Sequence, residues 1–162
     1  MTSVSLKPAA QRVQAVLEQS GAVLEVREFP ASTRTAEEAA AAIGCQVEQI
    51  AKSLIFRTKQ SDRPLLAVVS GVNRADENKL EALAGEAIGK ADAEFVRART
   101  GFAIGGVPPI AHREPPITFL DSDLEAFEEV WAAAGTPNTV FRLTPRELAE
   151  LTGAAFVDLR KS

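Results

Sequence analysis

The sequence predicts a single domain of mixed α/β class, with a strongly curved mixed sheet and helices packed on its outside. Strand-like apolar runs and helical patterns follow one another without a strict strand–helix–strand alternation, which argues against a purely parallel sheet. Apolar residues make up 46% and charged residues 25% of the sequence, as in ordinary globular proteins. The 162 residues can enclose one full core, and no linker or repeat divides them, so we expect one domain over residues 1–162.

Apolar spacing and capping residues predict five helices. Apolar residues from Leu6 to Leu17 recur at helical spacing, and Ser20-Gly21 ends this first helix. Two capping boxes, Thr35-Ala-Glu-Glu38 and Thr144-Pro-Arg-Glu147, begin helices that end near Gly44 and Gly153. Two further helices are expected at residues 76–84 and 92–99.

Strands are predicted where apolar residues run together between polar turns. The predicted strand at residues 65–70 is continuously apolar up to Val69, which indicates a strand buried on both faces. The predicted strands cover residues 23–29, 50–58, 65–70, 102–104, 117–120, 129–133, 139–143 and 155–159.

The composition excludes several classes of protein. A single cysteine, Cys45, rules out an internal disulfide, and one cysteine with one histidine is too few for a usual zinc site. No acidic cluster suggests magnesium, so we expect neither metal nor cofactor. No apolar run is long enough to cross a membrane, and residues 1–7 lack a signal-peptide pattern. These features predict a cytoplasmic protein.

The net charge of −4 argues against a protein that grips a long stretch of nucleic acid. Contact with only the end of a nucleic acid, through a local cationic patch, is still compatible with this charge. Scattered surface cations are the alternative interpretation of the same residues. The cations that could form such a patch are Lys52, Arg57, Lys59, Arg63, Arg74 and Lys79.

The segment from Phe102 to Pro109 contains the most informative pattern of the sequence. The predicted strand 102–104 runs directly into Gly105-Gly106, and Pro108-Pro109 follow. Glycine permits close approach of the backbone, and proline stiffens the loop. Backbone amides at the glycine pair could therefore hold a carbonyl oxygen or an oxyanion. A simple strand-to-loop turn is the alternative interpretation.

A lysine on an apolar strand face is the second candidate. Side chains alternate along a strand, so Lys52 shares its face with Ile50, Leu54 and Phe56. A buried ammonium is costly without a partner, which suggests that Lys52 holds a phosphate or a carbonyl oxygen in a pocket. The alternative is a lysine with its stem buried and its ammonium in water.

The sequence offers no convincing covalent nucleophile. Ser53 follows Lys52, but neighbours on a strand point to opposite faces and do not form a dyad. No Gly-x-Ser-x-Gly elbow is present. A Cys45–His112 pair stays open, although a buried structural cysteine is the commoner case. Hydrolysis of an activated ester by water needs only a positioned ester, a stabilised oxyanion and an ordered water.

Four segments occur in the order found in a known family: the strand Ala51-Lys52-Ser-Leu-Ile-Phe56, the strand at 65–71, the helix start at 76–80 and the Gly105-Gly-Val-Pro-Pro109 loop. They resemble the YbaK family of aminoacyl-tRNA deacylases, which is related to the inserted editing domain of bacterial prolyl-tRNA synthetase. The resemblance covers residues 11–158. It implies a barrel-like fold and an enzyme of translation fidelity.

The resemblance implies trans-editing, in which the ester bond of a mischarged tRNA is hydrolysed. The implied substrate is a tRNA of the proline class that carries a small amino acid, bound through its 3′ acceptor end without a cofactor. An aminoacyl-tRNA synthetase is a further candidate partner. Two alternatives stay open: a non-catalytic module of the same fold that binds tRNA or a synthetase, and an esterase of small molecules.

The resemblance also implies roles for particular residues. It assigns Lys52 to orienting the terminal adenosine or its phosphate, with an electrostatic share in catalysis, and Gly105 and Gly106 to the aminoacyl carbonyl. We therefore expect a valine at Gly106 to lower turnover with little loss of stability. Relatives carry histidine or aspartate where Thr136 or Asn138 stands here, and Lys79 matches a family position. The expected substrate-binding residues are Ser70, Gly71, Asn73, Val107, Pro108, His112, Thr136 and Asn138.

Overall fold

A computed structural model describes residues 6–162, so residues 1–5, which belong to the predicted domain and to its N-terminal segment, lie outside the described residues. The described part contains five helices and eight strands, which confirms the mixed α/β class. The helices are α1 (Pro8–Gln19), α2 (Ala36–Ile43), α3 (Glu77–Ala84), α4 (Ala93–Thr100) and α5 (Pro145–Thr152). The strands are β1 (Val26–Glu28), β2 (Ile50–Thr58), β3 (Pro64–Ser70), β4 (Ile88–Lys90), β5 (Ile117–Asp121), β6 (Val130–Ala133), β7 (Thr139–Leu143) and β8 (Phe156–Val157).

The eight strands form one mixed sheet with the order β1-β7-β6-β2-β3-β5-β8, and β4 pairs with β2 beside this path. The β2–β3 hairpin is antiparallel and keeps an uninterrupted register from Ala51↔Ser70 to Arg57↔Pro64. The pairs β2–β6, β3–β5 and β5–β8 are parallel. Because β1 and β8 end the path without pairing to each other, the sheet is open, consistent with the expected curved sheet.

Two strands pair with different parts of the same edge of β2, and the stretch of that edge between them has no strand partner. Strand β6 pairs with Ile50 and Ala51 at the start of β2. Strand β4 pairs with residues 56–58 at its end. Residues 52–55 therefore have β3 on one side and no strand on the other within the described part of the protein.

Helices and loops cover both faces of the sheet. Every residue of β3 is buried, as its continuous apolar run predicts. On one face, Leu66 and Val68 belong to the same apolar cluster as Val13 of α1 and Leu148 of α5. On the other face, Leu80 of α3 packs with the alternate residues of β3, and α2 packs against the start of β2.

The structure confirms the capping boxes but not every predicted strand. Thr35 and Thr144 accept hydrogen bonds from the backbone of Glu38 and Glu147 in complete capping boxes. Residues 102–104 do not form a strand, because the Gly106 N–H donates to Ala103 O at 3.2 Å and closes a turn. The predicted strands at 23–29 and 155–159 are shorter than expected, and β4 was not predicted.

Candidate active site

A cavity of about 450 Å³ lies where the edge of β2 is uncovered. Its walls come from the start of α2, the middle of β2, the loop at 104–107 and strand β6. The lining is mostly apolar, with side chains such as Leu54, Val96 and Trp131 around a few polar groups. A cavity with this character suits a small apolar group whose orientation is set by a few hydrogen bonds.

Lys52 provides a half-buried cation in this cavity. It lies on the face of β2 that α2 covers, and its Nζ donates a hydrogen bond to Gly71 O at 3.2 Å. Burial lowers the pKa of Lys52, and the nearby Glu37 carboxylate partly opposes that shift. No carboxylate within the described residues forms a salt bridge with it, so the ammonium has donors left for an anionic or carbonyl ligand.

Gly71 is required by the geometry beside Lys52. A Cβ built at Gly71 would overlap the backbone oxygen of Val47 and crowd the Ala36 side chain of α2. Any larger residue would displace the Gly71 carbonyl that accepts from Lys52. Gly71 lies on the cavity wall, as expected, but acts through its backbone.

The glycine loop contributes fewer amides than the sequence suggests. Gly105 and Val107 line the cavity, and neither of their N–H groups makes a hydrogen bond within residues 6–162. The Gly106 N–H is used in the turn to Ala103, so the prediction that Gly106 offers a bare amide is wrong. Gly106 instead packs against the backbone of Thr136, which lies 2.8 Å from an ideal Cβ at Gly106.

Arg34 is a cation of this site that the sequence did not reveal. It lines the cavity, and its Nε lies 2.9 Å from the position of an ideal Cβ at Gly105, directly over the loop. The φ of Gly105 is +102°, so glycine is favoured there by conformation as well as by space. The only sequence signal was a cation immediately before the Thr35 capping box, which alone does not indicate a site.

Ser53 is a further polar residue that lines the cavity. It lies on the face opposite Lys52, as strand alternation predicts. Its Oγ is buried and has no hydrogen-bond partner among the described residues. No base contacts this hydroxyl, so the arrangement does not support a serine nucleophile.

Several residues predicted to bind substrate are not on the cavity wall. Ser70 Oγ donates to Glu48 O at 2.7 Å, and Asn73 Nδ2 donates to the carboxylates of Asp121 and Asp123. Lys79 forms an ion pair with Asp158 at 3.0 Å, away from the cavity lining. These side chains hold the connections around the end of β3.

Thr136, Asn138, Pro108 and His112 also lie off the wall and support the glycine loop from behind. Thr136 Oγ1 is 2.7 Å from Thr139 Oγ1, and Asn138 Nδ2 donates to Phe29 O. The Gly135 N–H donates to Gly106 O at 2.8 Å, which joins this turn to the loop. Thr136 and Asn138, which were expected to bind substrate, thus support the loop, because the hydrogen bonds around the turn use their polar groups.

His112 fixes the proline segment of the loop. Its Nε2 lies 2.6 Å from Pro108 O, and since a carbonyl only accepts, Nε2 carries the hydrogen. Its Nδ1 is buried without a partner among residues 6–162, and burial lowers the pKa of His112. Neither ring nitrogen makes a hydrogen bond to the Cys45 thiol, so the Cys45–His112 pair is not formed. Burial raises the pKa of the Cys45 thiol, which disfavours a reactive thiolate.

The protein belongs to the aminoacyl-tRNA editing domain family, whose sequence model matches residues 30–151. This confirms the resemblance to YbaK-like proteins. A solved structure described as a putative trans-editing enzyme for prolyl tRNA synthetase is 52% identical and superimposes with a TM-score of 0.92. That similarity covers 98% of this protein and all of the other.

Two curated bacterial proteins are similar over most of their length. The uncharacterized protein YwhH of Bacillus subtilis (strain 168) is 37% identical over 128 residues, which cover 79% of this protein and 81% of YwhH. EbsC of Enterococcus faecalis (strain ATCC 700802 / V583), named a putative Cys-tRNA(Pro)/Cys-tRNA(Cys) deacylase, is 25% identical over 126 residues. These cover 77% of this protein and 76% of EbsC.

Two kinds of feature are absent from residues 6–162. None of the helices there is both long and apolar enough to cross a membrane. No group of three or more His, Cys, Asp or Glu side chains in this range is arranged to hold a metal ion.

Proposed function

We propose that the protein is a trans-editing hydrolase that cleaves the ester bond of mischarged aminoacyl-tRNA, of the tRNA-Pro class carrying a small amino acid. The observation that supports this most is that the Lys52 ammonium and the Gly105 backbone line one cavity, although they come from distant segments. The names of EbsC and of the structural relative point to the same class of substrate.

The cavity suits the parts of an acylated 3′ end. Lys52 and Arg34 provide positive charge for the phosphate or the ribose oxygens of the terminal nucleotide. The apolar wall formed by Val96, Val107 and Ala132 suits a short aliphatic side chain. Pocket size would then exclude larger amino acids, whereas two amino acids that differ by one methylene group would be distinguished only weakly.

Water is the nucleophile in the proposed reaction. It adds to the ester carbonyl, and the oxyanion that forms accepts hydrogen bonds from the N–H groups of Gly105 and Val107. Collapse of the tetrahedral intermediate expels the ribose oxygen, which takes up a proton, and releases the amino acid and the tRNA. A single oxyanion donor contributes on the order of a hundredfold in rate, so two such amides suffice for an ester that is already reactive.

A deacylation panel tests this proposal. Wild-type protein is incubated with Ala-tRNA, Cys-tRNA, Ser-tRNA and Thr-tRNA species, and release of the amino acid is measured. We expect release from at least one mischarged tRNA, and a drop in kcat/KM of about a hundredfold in Lys52→Ala, because the terminal nucleotide is no longer held in position. Lys161→Ala, which removes an exposed lysine that neither lines the cavity nor belongs to the candidate cationic patch, is the matched control and should behave as wild type.

The alternatives give different results in the same panel. Tight tRNA binding with no release from any species would identify a non-catalytic binding module and overturn the proposal. Hydrolysis of free amino-acid esters that is equally fast without the tRNA would identify a small-molecule esterase instead.

A further inference from the structure

The uncovered edge of β2 is itself part of the cavity wall. Six successive residues, at positions 50–55, line the cavity, although their side chains alternate between the two faces of the sheet. A cavity that meets successive residues of one strand lies along the edge of that strand. Four of the six, at positions 52–55, lack a strand partner on this side, so their backbone is exposed to the cavity.

The direction of the backbone groups along this edge follows from the hydrogen bonds at its end. The Lys59 N–H donates to Ala87 O, toward the β4 side, whereas the Thr58 N–H donates to Arg63 O, toward the β3 side. The register of β2 with β3 is uninterrupted, so this alternation continues back along the strand. The N–H and C=O groups of Ser53 and Ile55 therefore face the cavity.

A second hydrogen bond gives the same alternation independently. Ser70, which pairs with Ala51 in the register, donates its N–H to the Asp121 carboxylate at 3.0 Å and therefore points away from β2. Ala51 and Ser70 are thus a pair without mutual hydrogen bonds, and Ser53 with Val68, two residues on, is another. Backbone groups that lack a protein partner in this way must be satisfied by water or by a ligand.

We infer that the backbone carbonyls of Ser53 and Ile55 bind the α-ammonium group of the aminoacyl moiety, so that the site accepts free aminoacyl esters and rejects N-acylated ones. This inference rests on the proposed function. An α-ammonium carries three donors one carbon away from the ester carbonyl, and carbonyl oxygens on the strand edge are matching acceptors. With the carbonyl at Gly105 and the ammonium at β2, the ester would be held at two points.

Glu37 is the competing acceptor for the same group. It is the carboxylate that lines the cavity, but it lies at the exposed start of α2, on the Lys52 side. Its negative charge raises the pKa of Lys52 and partly offsets the lowering by burial. An ammonium held by Glu37 would lie beside the Lys52 cation, which is unfavourable. The strand edge avoids that repulsion, and Glu37→Gln separates the two possibilities.

Substrates blocked at nitrogen provide the kinetic test. The rate of enzymatic hydrolysis of Ala-tRNA is compared with that of N-acetyl-Ala-tRNA, each divided by its own spontaneous rate because the two esters differ in intrinsic lability. We expect the normalised kcat/KM to fall at least a hundredfold on acetylation, and to do so equally in Glu37→Gln. Equal normalised rates would overturn the inference, and so would a loss of discrimination in Glu37→Gln. If another species of the panel is hydrolysed in place of Ala-tRNA, that species and its N-acetyl form are compared in the same way, and hydrolysis of none of the four would overturn the proposed function instead.

Amide hydrogen exchange locates the contact directly. The probe is 3′-alanylamino-3′-deoxyadenosine, which has an amide in place of the ester and is compared with its N-acetyl form. We expect the probe to slow exchange of the Ser53 and Ile55 amides, which share the uncovered edge, and the N-acetyl form to leave them fast. The Leu54 amide, which faces β3, is the internal control and should be slow throughout. Unchanged exchange at Ser53 and Ile55 with saturating probe would contradict the assignment.

Discussion

Replacing Gly106 by alanine tests whether the glycine loop depends on close packing behind it. A Cβ at Gly106 would lie 2.8 Å from both the backbone nitrogen and the carbonyl carbon of Thr136, and 2.9 Å from the carbonyl carbon of Gly135. These are backbone atoms of a turn that is hydrogen-bonded to the loop. Unlike the end of a flexible side chain, they cannot rotate out of the way. Ordinary contacts begin near 3.4 Å, so the loop must move by roughly half an ångström.

The expected cost follows from this overlap. Overpacking of this kind costs typically 1–3 kcal/mol. For a domain of this length, about 2 kcal/mol corresponds to a fall in Tm of roughly 4–8 °C. Moving the loop also displaces the Gly105 N–H, and loss of one oxyanion donor lowers kcat by about a hundredfold. The variant should therefore lose both stability and activity, in contrast to the small stability loss expected from the sequence.

Thermal unfolding followed by circular dichroism, together with deacylation kinetics, measures both effects. Gly89→Ala is the matched control, because a Cβ there meets only the flexible end of the Lys59 side chain at 3.2 Å. Its Tm should stay within about 2 °C of wild type, since substitutions without a core clash usually change stability by about 0.5 kcal/mol or less. If Gly106→Ala and Gly89→Ala had the same Tm, the steric argument would be refuted.

Two pH dependences follow from the burial of Lys52 and His112, which lowers the pKa of each. Because burial lowers the pKa of Lys52, its ammonium loses the proton at a pH below the usual lysine value of about 10.4. Binding of 3′-alanylamino-3′-deoxyadenosine that carries a 5′-phosphate should therefore weaken as the pH rises toward that value, and Lys52→Arg should flatten this profile in a fluorescence titration from about pH 8 to 11. Burial also lowers the pKa of His112 in the folded protein. As the pH drops below about 6.5, the unfolded state takes up a proton at this histidine but the folded state does not, so the free energy of unfolding decreases. His112→Gln should reduce the loss of the urea midpoint between pH 7 and pH 5; an unchanged loss would assign that dependence to other groups.

The helices could be predicted well because their ends are set by local chemistry. Thr35 and Glu38 are three residues apart, and each side chain accepts a hydrogen bond from the other residue's backbone N–H without help from distant segments. Strand β4 could not be predicted in the same way. Its three residues become a strand only because they reach Phe56–Thr58, far away in sequence. The gap at residues 52–55 depends equally on where β4 and β6 stop.

The candidate site was predicted where one residue type carries the signal. Lys52 stood out as a cation on an apolar strand face, and Gly105 stood out because glycine and proline punctuate a loop. The position of Arg34 over Gly105 arises from tertiary packing, which a local pattern does not contain. Thr136 was misread for a related reason. It was expected to bind substrate because relatives carry histidine or aspartate in this region, but the residues of its own turn satisfy its hydroxyl.

The uncovered stretch of β2 has a consequence for how the molecule behaves at high concentration. A vacant strand edge normally recruits the strand of another molecule and begins aggregation. Here α2 and the loop at 104–107 flank the uncovered edge, which restricts the approach of a second polypeptide strand more than that of a small ligand. The same two segments therefore leave backbone groups available for binding while they limit strand pairing between molecules.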